Sequence, residues 1–256
     1  MRSLFNLPPL LNGAEKDINP WKKMCHKHSS IAACMQRAAP LFLGFLLLFL
    51  SPPAAASGNP PVDELIGKIQ AAYDGAADMK AAFRQEVTVK SLRKTEREDG
   101  TFSFKKPYLM RWDYTTPKPK RLTVNEKEIW LYVPEDSAAY VQNTKQALKS
   151  RVIIKFLAGM GKIADDFQIR YSRPRATSVS GDYLLTLVPK VKDWGIDELF
   201  VTVDSSSAYI KELRFTDALG NTTRVTFTNI IINSGLPTQL FNFTPPAGTE
   251  IVRMPN

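Results

Sequence analysis

The apolar positions of this chain follow two different periods, and each period predicts its own kind of element. Leu65, Ile69 and Tyr73 recur at every fourth position, which is the spacing of one face of an amphipathic helix. Two prolines just before this stripe suit a first helical turn, and Gly75 suits a helix end. The pattern therefore predicts a helix over residues 60–75.

After that helix the period changes to two. Across residues 101–114 the large apolar side chains fall on one parity and most polar ones on the other, so one face of the predicted strand is aromatic. Pro107 interrupts the run, and a strand that contains proline is expected to bend there or to lie at a sheet edge. The Asp99-Gly100 pair before it predicts a hairpin turn. The members of the aromatic face are Phe102, Phe104, Tyr108, Met110, Trp112 and Tyr114.

Shorter apolar runs, each bounded by turn residues, extend this pattern along the chain. A first strand is expected to start near Phe83. Because most of these runs follow one another without an intervening helical pattern, they predict an antiparallel sheet or barrel. The remaining predicted strands are residues 122–124, 129–133, 140–141, 183–188, 199–203, 209–215 and 224–232.

One segment breaks the alternation. Ile153, Phe156, Leu157 and Met160 are spaced i, i+3, i+4 and i+7, which predicts a short amphipathic helix within residues 150–167. Two glycines near its end would weaken it and let it move. A curved sheet with an aromatic face and a short covering helix predicts a lidded apolar cavity. The alternative is an ordinary filled core.

The N-terminal part of the chain has the pattern of a processing segment. Residues 38–50 form an apolar run that is too short for a comfortable membrane span, and Ala54 and Ala56 fit a signal-peptidase site. We therefore interpret residues 35–56 as a signal peptide and residues 1–34 as an over-extended N-terminus. An N-terminal membrane anchor is the alternative interpretation.

Composition limits the chemistry of the expected exported part, residues 57–256. Both cysteines and both histidines precede it, which removes disulfides, thiol nucleophiles, Ser–His pairs and ordinary zinc sites. The net charge of the whole chain is +9, but the charges are dispersed, so we expect no nucleic-acid partner. An anionic membrane surface or an acidic protein fits a mildly basic exported protein better.

The sequence carries no motif that predicts catalysis. It has no nucleophile elbow, P-loop or H-E-x-x-H zinc motif. Two adjacent acidic pairs, Asp165-Asp166 and Asp197-Glu198, are expected to be solvated, because neighbours on a strand point to opposite faces. We expect no catalytic residue, cofactor or metal. A glycosidase that uses two distant carboxylates stays open as an alternative.

Four motifs in order resemble those of one family, the periplasmic outer-membrane lipoprotein carrier, LolA. Residues 104–112 give a strand, a basic pair, a proline and an aromatic strand that ends in Trp. Residues 129–134 resemble its W-x-Y-x-P hairpin, and residues 241–249 are similar to its F-x-F-T-P-P-x-G signature. Ala82 to Gln85 resembles the F-x-Q of its first strand. The resemblance extends over about residues 62–251.

The resemblance implies a mainly β fold with a helical lid. The expected architecture is an incomplete antiparallel β-barrel, a strongly curved sheet covered by short α-helices that encloses an apolar cavity. Residues 57–256 would be the lipoprotein-carrier domain of a monomeric periplasmic chaperone that is not an enzyme. It would bind acyl chains of outer-membrane lipoproteins, receive them from an inner-membrane ABC-type release transporter, and deliver them to an outer-membrane lipoprotein receptor.

The resemblance also implies roles for particular residues. Lys106 matches the basic position before the proline, usually Arg, which latches the lid by hydrogen bonds to lid backbone. Lys lacks the fixed fork of Arg, so the latch would be weaker or differently made. The residues expected to line the acyl-chain cavity are Leu65, Ile69, Phe102, Phe104, Met110, Trp112, Ile153, Phe156, Leu157 and Met160.

Three alternative functions stay open on the sequence. The same fold could carry another lipid or a glycolipid. A sensory module of similar fold would usually carry an added domain. A secreted hydrolase would need convergent carboxylates in a polar cleft, so a dry apolar interior would argue against it.

Overall fold

A single sheet of twelve strands dominates the computed structural model, which describes residues 58–144, 163–191 and 195–254. A 14-residue helix, α1 (Val62–Gly75), precedes the sheet, and a four-residue helix, α2 (Ile163–Asp166), precedes its seventh strand. The strands are β1 (Asp78–Val89), β2 (Lys94–Lys105), β3 (Leu109–Thr116), β4 (Lys120–Val124), β5 (Glu128–Val133), β6 (Ala138–Asn143), β7 (Phe167–Tyr171), β8 (Tyr183–Pro189), β9 (Ile196–Val203), β10 (Ile210–Asp217), β11 (Thr222–Ile232) and β12 (Glu250–Arg253).

The strand order confirms a mainly β fold built on one open, curled sheet. Neighbouring strands follow the order β12-β6-β5-β4-β3-β2-β1-β11-β10-β9-β8-β7. The pairings are antiparallel except that β12 joins β6 in parallel, which the sequence analysis did not predict. Residues 58–256 form one compact unit. Within its described residues, no helix has both the length and the apolar character needed to cross a bilayer.

Helix α1 forms as predicted, because its apolar stripe packs into the protein interior. Leu65, Ile69 and Tyr73 are all buried, while Asp63 and Glu64 occupy the first turn, where negative charge is favourable. Burial of each large apolar side chain is worth about 1.5–3 kcal/mol. The stripe therefore holds α1 against the sheet more than any intrinsic helix preference does.

The aromatic parity of residues 101–114 is confirmed, but the role of Pro107 was predicted wrongly. β2 ends at Lys105, and residues 106–108 form a turn that leads into β3. The proline thus lies in a turn between two paired strands, where its missing N–H costs nothing. Five of the six aromatic-face residues are buried and Tyr108 is half-buried in the turn. The hairpin register pairs Phe102 with Trp112 and Phe104 with Met110.

The hairpin turn predicted at Asp99-Gly100 is also wrong. Residues 90–93 form the turn, and Asp99 and Gly100 lie inside β2, where the register against β3 shifts. Gly100 is needed there because of a close approach. An added Cβ would collide with the carbonyl oxygen of Asp113 and lie 2.7 Å from the ring of Phe83. The dipeptide therefore marks a site of tight packing and not a chain reversal.

Two strands were missed. Phe167, expected at the end of a helix, begins β7, whose buried and exposed positions largely alternate. β12 is only four residues long and mostly exposed, so its sequence shows little of the apolar–polar alternation from which strands are predicted. Of the helix predicted within residues 150–167, the structure describes only Ile163–Asp166, which is helical. The lid residues Ile153, Phe156, Leu157 and Met160 lie outside the described residues, as do residues 1–56.

The C-terminal segment covers part of the outer face of the sheet. Phe241 is fully buried, and Arg111 donates from Nη1 to the Leu240 carbonyl at 2.9 Å. A second apolar cluster forms there, separate from the inner face of the sheet. It consists of Trp130, Ala139 and Val141, with Tyr132 and Phe243 packed against them.

A buried carboxylate fixes the start of that segment. Asp78 is 3% exposed and accepts hydrogen bonds from the backbone N–H groups of Ser234, Gly235 and Leu236 at 2.8–3.2 Å. Burial alone would raise the pKa of this carboxyl, but these bonds and one from the Ser234 hydroxyl outweigh it and lower the pKa. Asp78 therefore ties the chain after β11 to the beginning of β1.

The close packing at Gly100 predicts a sharp difference between two glycines. Gly100→Ala should lower the free energy of unfolding by about 1–3 kcal/mol, because the new Cβ overpacks the β2–β3 contact. Gly67→Ala is the control, since no atom lies within 4 Å of its Cβ position in α1, and it should raise stability by roughly 0.5–1 kcal/mol. Urea unfolding of residues 57–256 measures both. Equal effects of the two substitutions would contradict the packing assigned to Gly100.

Candidate apolar-ligand site

The inner face of the sheet carries a cluster of five aromatic rings, Phe83, Phe102, Trp112, Tyr114 and Phe227. The ring centroids of Phe102 and Trp112 are 4.5 Å apart, and Phe83 lies 4.9 Å from both Trp112 and Tyr114. Phe227 approaches Phe102 at 5.5 Å. Such edge-to-face and tilted pairs add to the free energy of area burial. The strands β1, β2, β3 and β11 thus share one continuous apolar surface.

Helix α1 reaches this surface through Tyr73, and the free space at that contact is very small. Tyr73 of α1 lines a void of about 10 Å³ together with Met79, Phe102, Ile210 and Phe227. A void of this size is at the lower limit for a single water molecule. Any acyl chain that binds here must therefore displace α1 or neighbouring side chains.

Six of the predicted cavity residues lie in described elements, and all six are buried. They belong to α1, β2 and β3, and every one of them is at most 3% exposed. Their contact with a ligand stays a prediction. The six residues are Leu65, Ile69, Phe102, Phe104, Met110 and Trp112.

The described hydrogen bonds attach α1 to the rest of the chain through side chains and not through a strand ladder. The Tyr209 hydroxyl donates to the Ala72 carbonyl at 3.1 Å, and the Ile210 N–H donates to the Tyr73 hydroxyl at 3.3 Å. The Tyr171 hydroxyl donates to the Pro60 carbonyl at 2.8 Å. A helix held by its apolar stripe and a few polar contacts can move away from a sheet without breaking the sheet.

Lys106 holds the end of α1. Its Nζ donates to the Asp74 carbonyl at 2.6 Å, in the last turn of the helix. A cation is favourable there, because the carbonyl groups of the last helical turn are unpaired and carry partial negative charge. The predicted contact of Lys106 with the lid helix lies outside the described residues, so that role stays a prediction.

A set of polar side chains borders the aromatic cluster on the inner face. The Tyr114 hydroxyl donates to Gln85 Oε1 at 3.0 Å, and Lys120 lies 2.6 Å from a Glu98 carboxylate oxygen and 4.4 Å from the centre of the Tyr114 ring. Burial, and secondarily the Glu98 charge, raise the pKa of Tyr114. Its phenol therefore stays protonated and donates its hydrogen bond throughout the neutral range.

Four residues that build this interior were not among the predicted cavity residues: Tyr73, Phe83, Gln85 and Phe227. Each lies on the buried side of its own helix or strand, so the periodicity of the sequence could have identified it. The alignment of Phe83 with Phe227 was not readable, because it depends on the pairing of β1 with β11, which are far apart in sequence.

The acidic pairs do not converge. Asp165 and Asp197 are exposed, and Glu198 forms an ion pair with Arg170 at 2.7 Å. Within residues 58–144, 163–191 and 195–254, no cluster of three or more His, Cys, Asp or Glu side chains is arranged to hold a metal ion.

The fold and the site together define a class of protein: an open, curled β-sheet with an apolar, aromatic inner face and a helix that contacts this face. The chain belongs to the outer membrane lipoprotein carrier protein LolA family, whose model matches residues 74–244. This confirms the resemblance seen in the sequence motifs.

Two relatives and one solved structure show how far the similarity extends. The chain is 29% identical over 174 residues to an outer-membrane lipoprotein carrier protein of Dechloromonas aromatica, covering 68% of this chain and 80% of the relative. It is 26% identical over 210 residues to one of Azotobacter vinelandii, covering 82% and 98%. An uncharacterized conserved protein from Thermus thermophilus shares the fold, with a TM-score of 0.50, 11% identity, and 75% and 99% coverage.

The contact of Lys106 with α1 predicts a local change in helix stability. Lys106→Ala removes an exposed hydrogen bond from a cation to the last turn of the helix, worth about 0.3–1 kcal/mol. The backbone amides of α1 should therefore exchange with deuterium faster, while those of β1 and β11 should not. Lys118→Ala is the control, because it removes a similar lysine whose described ion pair is with exposed Glu135, away from α1. Unchanged exchange in α1 would contradict the role of this contact.

Proposed function

We propose that this protein is a periplasmic chaperone that binds the acyl chains of lipoproteins released from the inner membrane and delivers them to an outer-membrane receptor. The observation that carries the proposal is the aromatic inner face, covered by a helix that is attached largely through side chains. Membership of the lipoprotein carrier family and the names of the relatives support the same function.

The energetics of acyl chains explain why such a carrier is needed. Burial of one CH₂ is worth about 0.8 kcal/mol, so a sixteen-carbon chain left in water costs roughly 10–12 kcal/mol. A lipoprotein cannot cross an aqueous space with its chains exposed. The inner face provides an apolar environment in place of lipid. To use it, the acyl chains must replace the contacts that α1 and the aromatic rings make with each other.

We assign the acyl-chain site to the six buried residues of α1, β2 and β3 described above and to the lid residues Ile153, Phe156, Leu157 and Met160, which lie outside the described residues. The void at Tyr73 is only about 10 Å³, so an acyl chain that enters there must displace Tyr73 or its neighbours. Phe227 and Tyr73 belong to the same surface and join the site.

Lys106 is the proposed latch of this site. Its bond to the Asp74 carbonyl stabilises α1 in the closed position, and cargo that lifts the end of α1 must break it. A single flexible cation makes this latch easy to open, whereas the fork of an Arg side chain could hold two carbonyl groups at once.

The remaining parts of the proposal concern location, partners and chemistry. Residues 35–56 would direct export, and the exported chain would act as a monomer in the periplasm. An inner-membrane ABC-type transporter would load it and an outer-membrane lipoprotein receptor would unload it. Binding and release need neither a catalytic residue nor a cofactor, so energy for direction would come from the transporter and from tighter binding by the receptor.

A release assay tests this function. Spheroplasts that make a labelled triacylated lipoprotein are incubated with purified residues 57–256, and the supernatant is analysed for a soluble complex. We expect the wild-type protein to release the lipoprotein. Met110→Glu places a charge in the apolar inner face and should abolish release.

Thr228→Glu is the matched control, because Thr228 is exposed on β11 and its variant should release lipoprotein normally. Circular dichroism and thermal unfolding show whether Met110→Glu keeps its fold, and Met110→Gln is the milder substitution if it does not. Failure of the wild-type protein with its native transporter, or normal release by both Met110 variants, would contradict the proposal. Extraction of a different bound lipid would then support a lipid or glycolipid carrier.

A further inference from the structure

Two exposed leucines lie on neighbouring hairpin turns at one end of the sheet. Leu92 in the β1–β2 turn is 51% exposed, and Leu219 in the β10–β11 turn is 80% exposed. Single apolar side chains on a protein surface are common and need no explanation. These two differ because the turns that carry them are joined to each other.

The joining contacts are specific. β1 and β11 stay paired up to Thr88 and Thr222, and the Lys90 N–H then donates to Asn221 Oδ1 at 3.1 Å. The aliphatic stem of Lys90 lies against Gly220, where an added Cβ would be 2.6 Å from Lys90 Cδ. We call residues 90–94 and 217–221 the double tip, since these contacts make the two turns one structural unit.

The charge of the double tip is positive. It contains Lys90, Arg93 and Lys94 against a single carboxylate, Asp217. Asp217 accepts hydrogen bonds from the N–H groups of Leu219 and Asn221, both at 2.9 Å, so it shapes the turn. Lys94 forms an exposed ion pair with Glu96, and no ion pair to Lys90 or Arg93 occurs among the described residues. The leucines are therefore flanked by cations.

The double tip also projects from the sheet on the β3 side. β2 pairs with β1 from Lys94 onward, whereas its pairing with β3 begins only at Asp99. Five residues of β2 therefore extend beyond β3, which at about 3.3 Å per residue is an overhang of about 16 Å. The projecting tip therefore presents its two leucines as separate apolar side chains at the end of the sheet.

From these observations we propose that the double tip docks the protein on an anionic bilayer surface. Leu92 and Leu219 enter the interfacial region, while Lys90, Arg93 and Lys94 approach lipid phosphates. A fluid bilayer accommodates two separate leucines on a convex surface, whereas a folded protein partner would have to provide a matching pocket. The proposal does not depend on the acyl-chain site, because docking uses only the outside of two turns.

Docking also sets an orientation. The double tip is at the start of β2, and Lys106 and the end of α1 are beyond its other end. With the double tip on the bilayer, the contact between Lys106 and α1 faces away from the membrane.

Sedimentation with lipid vesicles tests this proposal. Purified residues 57–256 are mixed with sucrose-loaded vesicles that contain phosphatidylglycerol, or with vesicles of phosphatidylcholine alone, at low ionic strength. We expect binding to the anionic vesicles only. Leu92→Ser with Leu219→Ser should reduce the bound fraction about tenfold, since burial of apolar side chains supplies part of the affinity. Lys90→Gln with Arg93→Gln should also weaken binding and reduce its salt dependence.

Matched controls lie at the other end of the sheet. Val179 is 98% exposed, and Arg173 and Arg175 are exposed on the same loop. Val179→Ser, and separately Arg173→Gln with Arg175→Gln, should leave binding unchanged. The proposal is overturned if wild-type protein does not bind anionic vesicles, if it binds neutral vesicles equally, or if the controls lose as much binding as the tip variants. Protein that extracts lipid stays in the supernatant, so this readout is separate from the proposed carrier function.

Discussion

The structure depends on one constraint: a curled sheet with an aromatic inner face needs a cover. Phe83, Phe102, Trp112 and Phe227 make a surface that would be costly to leave in water. In a closed barrel the opposite wall would cover it, but here the strand order ends at β12 and β7 without joining them. Among the described elements, helix α1 contributes to this cover through Tyr73, which lines a small void with Phe102 and Phe227.

The segments that lie on the two faces of the sheet are attached in different ways. The outer face of the sheet is fixed by the C-terminal segment, which Asp78 anchors and which buries Phe241. The inner face is contacted by α1, which is held by its apolar stripe and by polar contacts such as that of Lys106. A carrier needs this asymmetry, because the sheet must persist while its apolar contents are exchanged.

Local pattern predicted much of this architecture from the sequence. The apolar stripe of α1 and the alternation through Phe102, Met110 and Trp112 report positions that face a core, whatever lies opposite. Asp99-Gly100 misled the prediction, because glycine serves tight turns and close packing equally well, and only the neighbouring carbonyl of Asp113 distinguishes them. The pairing of β1 with β11, and hence the place of Phe227, depends on contacts between distant segments that no local pattern records.

We expect acyl chains to occupy the inner face of the sheet and not the outer one. The fluorescence of two tryptophans, one on each face, tests this directly. Trp112 lies among the inner aromatic rings, and Trp130 lies on the outer face against Phe243. Two variants of residues 57–256 carry Trp194→Phe, and each keeps one other tryptophan, Trp112 or Trp130. Both are loaded with a lipoprotein whose acyl chains carry a nitroxide. If acyl chains occupy the inner face, the fluorescence of Trp112 is quenched and that of Trp130 is not. Quenching of Trp130 alone, equal quenching of both, or none in a protein that binds the lipoprotein would contradict this expectation.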